Sequence, residues 1–171
     1  MSELAVHDGF SAIEQVVIGG DLSKLTSEQR VAYYRAVCNS IGLNPLTKPF
    51  DYLTLNGKLV LYARKDATDQ LRSTRRVSIV KLERERMEDV YVVTAYASLP
   101  DGRQDSSTGA VNIAGLKGDA LANALMKAET KAKRRVTLSI CGLGMLDETE
   151  IETIPDARRF EERPAKAPVV A

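Results

Sequence analysis

The chain has 171 residues and is close to neutral, with 24 lysines and arginines against 23 acids and a formal charge of +1. That length suits one domain, and the absence of tryptophan implies an aliphatic core. No apolar run approaches the roughly 20 residues that span a bilayer, and the start of the chain lacks the basic and apolar regions of a signal peptide. Cys38 and Cys141 show no metal or redox spacing and read as reduced thiols of a cytoplasmic protein.

The charge is uneven along the chain. Residues 147–171 hold seven acids and four bases, a balance of −3, so residues 1–146 carry +4. Residues 1–25 are mixed in character and read as an N-terminal segment broken at Gly19–Asp21. A helix is predicted from Thr26 or Ser27, with apolar Val31, Tyr34, Val37 and Ile41 at helical spacing and a stop at Gly42, reinforced by Pro45. Asn56-Gly57 then predicts a two-residue hairpin turn. Pairing around it places Leu53, Leu55, Val60 and Tyr62 on one face and Phe50, Tyr52, Leu59 and Leu61 on the other. Both faces are apolar, which predicts a helix against one and something else, such as a neighbouring subunit, against the second.

A short helix follows in "RKDATDQLRSTRR", acidic early and basic late as a helix dipole favours. Two strands turning at Glu88-Asp89 and a third after "PDGR" predict a meander. A glycine-bounded loop, "AGLKGD", leads into a long helix from about Asp119 to Cys141. The expected fold is α+β: an antiparallel sheet, made of the hairpin and the three-stranded meander, packed on a long helix. The expected core domain covers residues 26–150, with 151–171 a disordered acidic tail.

The long helix carries the most informative pattern. At 100° per residue, Leu121, Leu125, Ala128, Ala132 and Val136 fall within about 80° and form the core stripe. Lys127, Lys131, Arg134 and Arg135 fall within about 100° of one another, on what reads as the opposite side. Lys133 can pair with Glu129 at i,i+4, but the other four share a face that no acid is expected to neutralise. Arg64, Lys65, Arg72, Arg75 and Arg76 add charge around the short helix, and Lys117 stands at the long helix's N-terminus, where an anion is favoured. These elements together predict a groove for a polyanion.

Enzyme chemistry finds little support. His7 is the only histidine, no phosphate-binding G-x-x-x-x-G-K-[ST] loop is present, and "LDETE" groups three carboxylates without a second cluster to complete a two-metal site. No catalytic residue and no cofactor is expected.

The stretch from "VYVVTAYASLPDGR" through "NIAGLKGDALANALMKAETKAKRRVTLSICGLG" resembles single-strand annealing proteins. These include the phage RecT, Redβ and ERF types and the eukaryotic Rad-type annealing recombinase. The earlier "GLNPLTKPFDYLTLNGKLVLYARKDATDQL" is similar to the start of the RecT and Redβ core, so the likeness runs from about Gly42 to Leu146. It implies a β-β-α-β-β-β-α core, assembly into a ring or helical filament, and ATP-independent annealing of single-stranded DNA in homologous recombination. It further implies phosphate contacts at Lys127, Lys131, Arg134 and Arg135, and at Arg64, Lys65, Arg75 and Arg76. An exonuclease or a single-strand-binding protein would be a further partner, and a phage origin would place the protein in a bacterial cytoplasm. The residues agree physically: phosphate neutralisation gives sequence-independent affinity, and a basic helix without aromatics leaves bases free to pair. Two rivals remain, a duplex-RNA-binding module, which also sets a basic helix after three strands, and an assembly protein whose basic face meets an acidic partner.

Overall fold

Local sequence signals set most element boundaries in the computed structural model, which describes residue 14 and residues 16–160. Helix α1 spans Ser27–Ile41. Thr26 and Gln29 form a reciprocal capping box at its start, and Gly42 ends it in the left-handed region at φ 82°. Its inward side is Cys38, with Tyr34, Val37 and Ile41 partly buried. Val31, expected on that side, is exposed instead.

Strands β1 (Phe50–Leu55) and β2 (Lys58–Ala63) pair antiparallel, with Leu55 opposite Lys58. Asn56 and Gly57 make the predicted turn, both at positive φ. Helix α2 runs Lys65–Thr74. The meander follows as β3 (Ser78–Met87), β4 (Val90–Ser98) and β5 (Gln104–Asn112), in spatial order β3-β4-β5. Helix α3, Gly118–Ile140, crosses one face of the meander. A short helix α4 (Glu148–Ile151) and a two-residue strand β6 (Arg158–Arg159) complete the described chain.

The result is α+β, with antiparallel sheets and a long helix. One expectation needs correcting: hairpin and meander do not share a sheet. Strand β1 is flanked by β2 and β6, whereas the meander forms a separate three-stranded sheet. Helix α2 intervenes between β2 and β3 in the chain, and the free edge of β1 is taken by β6 through Leu53–Arg159 and Thr54–Arg158.

The hairpin's two apolar faces are arranged as predicted, but the second has a different cover. Phe50 packs with α1 and α2 residues, and Leu59 packs with Leu22 and Leu25. Leu53 and Tyr62, on the other face, are covered by Ile151, with Leu146 and Ala157 alongside. The chain's own C-terminal part therefore occupies the surface expected to await a subunit. For the same reason residues 151–160 are not a free tail: they include buried Ile151 and β6. Residues 161–171 lie outside the described residues, as does His7. At the other end, buried Leu22 and Leu25 extend the core below residue 26.

Two contacts fix the frame. Asp21 Oδ1 accepts hydrogen bonds from the backbone N–H of Leu59 (2.9 Å) and of Ser23 (3.0 Å). These bonds, the Leu59 one foremost, pull the carboxyl down to about 2. At the centre of β5, Gly109 lies directly under α3. A β-carbon there would stand 2.4 Å from the Ala128 carbonyl oxygen and 2.5 Å from the Ala132 nitrogen. With Ala95, Ala97, Ala128 and Ala132 also buried at this junction, helix and sheet approach closely because the side chains between them are small.

Two outcomes follow from these contacts. Gly109→Ala should cost about 3 kcal/mol, since the clash is with backbone that cannot swing aside, and urea unfolding measures this. Asp21 has a folded pKa below its unfolded value, so its contribution is present above about pH 4 and is lost as pH falls toward about 2. Asp21→Asn should therefore flatten the acid limb of a stability-versus-pH curve.

Candidate functional site

The Gly109 contact determines which way α3 is turned. With Ala128 and Ala132 pressed on β5, the neighbouring positions Lys127, Lys131, Arg134 and Arg135 run along one flank of the helix. The row does not oppose the core stripe, because its mid-direction lies only about 110° from that of the stripe at 100° per residue. Lys131 shows the consequence. Its β-carbon is beside Gly109, and the residue is 8% exposed, with its stem packed and no hydrogen-bond or ion-pair partner among the described residues. Lys127, Lys131 and Arg135 follow one another at roughly 6 Å along the axis.

The expected absence of neutralising acids is also corrected. The carboxylates come from another part of the chain, residues 147–152, laid along the row. Lys127 pairs with Glu152, Arg135 Nη1 lies 3.2 Å from Glu150 Oε1, and Arg134 Nη1 donates to Glu148 Oε1 at 2.8 Å. Glu148 Oε1 also accepts from the backbone N–H of Lys65, at the first turn of α2 (3.2 Å), so a carboxylate sits where a helix N-terminus favours an anion. Three of the four bases thus meet a carboxylate of this segment.

Asp147 is the anchor of this segment. It is fully buried, and its Oδ1 caps α4 by accepting from Thr149 N (2.9 Å), Glu150 N (3.1 Å) and the Thr149 hydroxyl (2.5 Å). Glu150 reaches back to the Asp147 N–H, completing a capping box. Asp147 Oδ2 accepts no hydrogen bond and lies 3.9 Å from Arg134 Nη1. Burial pushes the Asp147 carboxyl up, while the Thr149 hydroxyl and the Arg134 charge oppose that shift. The Lys127 ammonium holds Glu152 below the usual carboxylate range. That pairing is therefore complete at neutral pH and is lost as pH falls through the lowered value.

The remaining predicted residues are scattered. Arg64 donates to the Lys48 carbonyl (3.2 Å). Lys65 pairs with Asp69 (3.7 Å). Arg75 donates to the Ile41 carbonyl (3.3 Å), satisfying the end of α1. Arg76 and Lys117 are exposed, and their side chains have no hydrogen-bond or ion-pair partner among the described residues. Lys133 pairs with Glu129 (2.6 Å), as expected, and Arg84 of β3 shares that carboxylate (2.9 Å). Among the described residues, the arginines around α2 with partners bond locally, Arg64 and Arg75 to backbone carbonyls and Arg72 to Asp69. Beside Arg135, between the end of α3 and the following loop, lies an open cavity of about 380 Å³ lined by Ser107, Leu138, Ser139, Leu143 and Glu150.

Residues 147–152 were missed as partners of the row, although two signals point to them. Asp-Glu-Thr-Glu is a capping-box pattern, and the basic body and acidic end of the chain carry opposite charge. Among the described residues, no group of three His, Cys, Asp or Glu side chains is placed to hold a metal ion, and no helix is long and apolar enough to cross a membrane. The fold and site define an α+β protein with a cationic helix flank covered by an acidic segment of its own. No protein family matches the sequence, and no curated protein matches it either.

The pairs differ in exposure, and so in expected energy. The Arg134 side chain is 11% exposed and faces buried Asp147, so Arg134→Ala should destabilise by about 3 kcal/mol. The Lys127 and Arg135 side chains are 41% and 46% exposed, and Lys127→Ala or Arg135→Ala should each change stability by less than about 1 kcal/mol. Urea unfolding of the three variants tests that order.

Proposed function

We propose that this protein binds single-stranded DNA along the α3 flank and anneals complementary strands without ATP, as a homo-oligomer acting in recombination. The observation that carries the reading is the regular row Lys127, Lys131, Arg135, about one helical turn apart, with Lys127 and Arg135 reaching solvent at its ends and Lys131 largely buried between them. The two outer cations can meet phosphates irrespective of sequence, with the Lys131 charge between them. Arg134 lies within the same row but serves the fold, through Asp147 and Glu148. No aromatic side chain interrupts α3, so nothing on that flank would hold bases by stacking. The resemblance to annealing proteins supports the same ligand and the absence of a nucleotide requirement. The ring or filament rests on that resemblance, since the hairpin face that argued for a subunit contact is covered within the chain.

A second reading has its own observation in favour. The acids of residues 147–152 pair three of the row's four cations, as an assembly protein with a basic face and an acidic partner would require, the partner here being internal. Fluorescence anisotropy with labelled oligonucleotides decides between them. The expected result is tighter binding of single-stranded DNA than of duplex RNA, with faster pairing of complementary oligonucleotides in nucleotide-free buffer. Lys127→Ala and Arg135→Ala should each weaken binding equally for all sequences and lower the salt slope by about one ion. Absence of binding at low salt would favour the internal-pairing reading, and preference for duplex RNA would favour a duplex-RNA module.

A further inference from the structure

We infer that residues 148–152 act as a built-in competitor for the α3 flank, with Glu150 and Glu152 holding the places of phosphates until a strand displaces their side chains. The inference rests on the single-strand-binding reading and names the regulation of that site. Three observations carry it.

Three of the four cations carry a carboxylate; the Lys127–Glu152 pair is exposed on both sides and the Arg135–Glu150 pair on the arginine side. Glu152 is 53% exposed and Glu150 15%, against Lys127 at 41% and Arg135 at 46%. Exposed pairs of this kind are weak, so phosphates presented in series can replace them.

The segment is held by contacts independent of those pairs. Ile151 is buried against Leu53 and Tyr62, the Ala63 N–H donates to the Leu146 carbonyl (2.8 Å), β6 pairs with β1, and Asp147 is buried at the head of α4. Exchange therefore needs the Glu152 side chain to turn away and Arg135 to leave Glu150 Oε1, while Glu150 Oε2 keeps the Asp147 N–H and the backbone and apolar cover stay in place.

Lys131 lies one turn from both Lys127 and Arg135, and it has no hydrogen-bond or ion-pair partner among the described residues. At 8% exposure it offers no open contact of its own, but its charge bears on Glu152 and adds to the positive potential between the two outer cations. The inner pair, Arg134 with Glu148 and Asp147, is 11% exposed on the arginine side and stays closed as part of the fold.

Competition has two signatures. Removing the competing charges should tighten binding. It should also steepen the salt dependence, because each phosphate contact would then form without freeing a carboxylate that gathers counterions again. The test compares the full-length wild type, Glu150→Gln/Glu152→Gln, and Glu85→Gln/Glu88→Gln. The last pair removes the same two charges from the β3–β4 end, away from the row, and so controls for net charge. Gln at 150 keeps the side-chain acceptor that the capping box uses. The ligand is a labelled single-stranded oligothymidylate, titrated at several salt concentrations.

The expected result is roughly fivefold tighter binding and a steeper salt slope for the 150/152 variant than for the control variant. Equal affinity and slope in the two variants, with wild type binding, would overturn the competitor while leaving the binding reading intact. No binding by any of the three at low salt would overturn the binding reading itself, and the competitor with it. Should the double variant fail to fold by circular dichroism, Glu152→Gln alone carries the comparison, because Glu152 is exposed and its side chain is held by Lys127.

Discussion

A missing methyl group sets the geometry on which everything else depends. Because position 109 is glycine, the β5 backbone can lie under Ala128 and Ala132, and α3 has one rotation that fits. That rotation buries Ala128, Ala132, Val136 and Ile140. It also turns Lys127, Lys131, Arg134 and Arg135 to the flank along which residues 147–152 lie. A helix held farther away by larger side chains could roll, and the row would lose its fixed relation to the carboxylates.

The covering segment joins two parts of the fold that share no sheet. It closes the hairpin's second apolar face through Ile151, Leu146 and Ala157, adds β6 to the edge of β1, and reaches α3 through its acids. Energetically these contacts are unlike. The buried apolar residues and the Asp147 cap fix where the segment lies. The solvent-reaching pairs Lys127–Glu152 and Arg135–Glu150 contribute little to stability. That division gives one segment two characters: its apolar residues belong to the core, and its outer charges belong to the surface.

Much of the fold was legible because its signals are local. Thr26 with Gln29, Asn56-Gly57, Glu88-Asp89 and Gly42 each set a cap or a turn within a few residues, and the strands and helices between them follow. The site was less legible because its electrostatics are not local. A helical wheel shows which cations share a face of α3, but it cannot show that Glu148, Glu150 and Glu152 return from beyond the helix to meet them. Nor does it show that Lys131, about 60° from Ala128 on the wheel, is packed beside Gly109. Arg75 illustrates the same limit. As sequence it is one of several arginines near a helix end, while in the fold it satisfies the last carbonyl of α1. The apolar hairpin face did call for a cover, and that cover came from residues that composition alone had assigned to a tail.

The most direct measurement of the central claim is backbone NMR of the full chain during titration with a single-stranded oligonucleotide. A strand that replaces the carboxylates on the α3 flank predicts shifts concentrated at residues 127–135 and 148–152, with the signals of Ile151 and of β6 still reporting an intact fold. Shifts confined to α2 or to the open face of the β3–β4–β5 sheet, with the α3 flank silent, would contradict it.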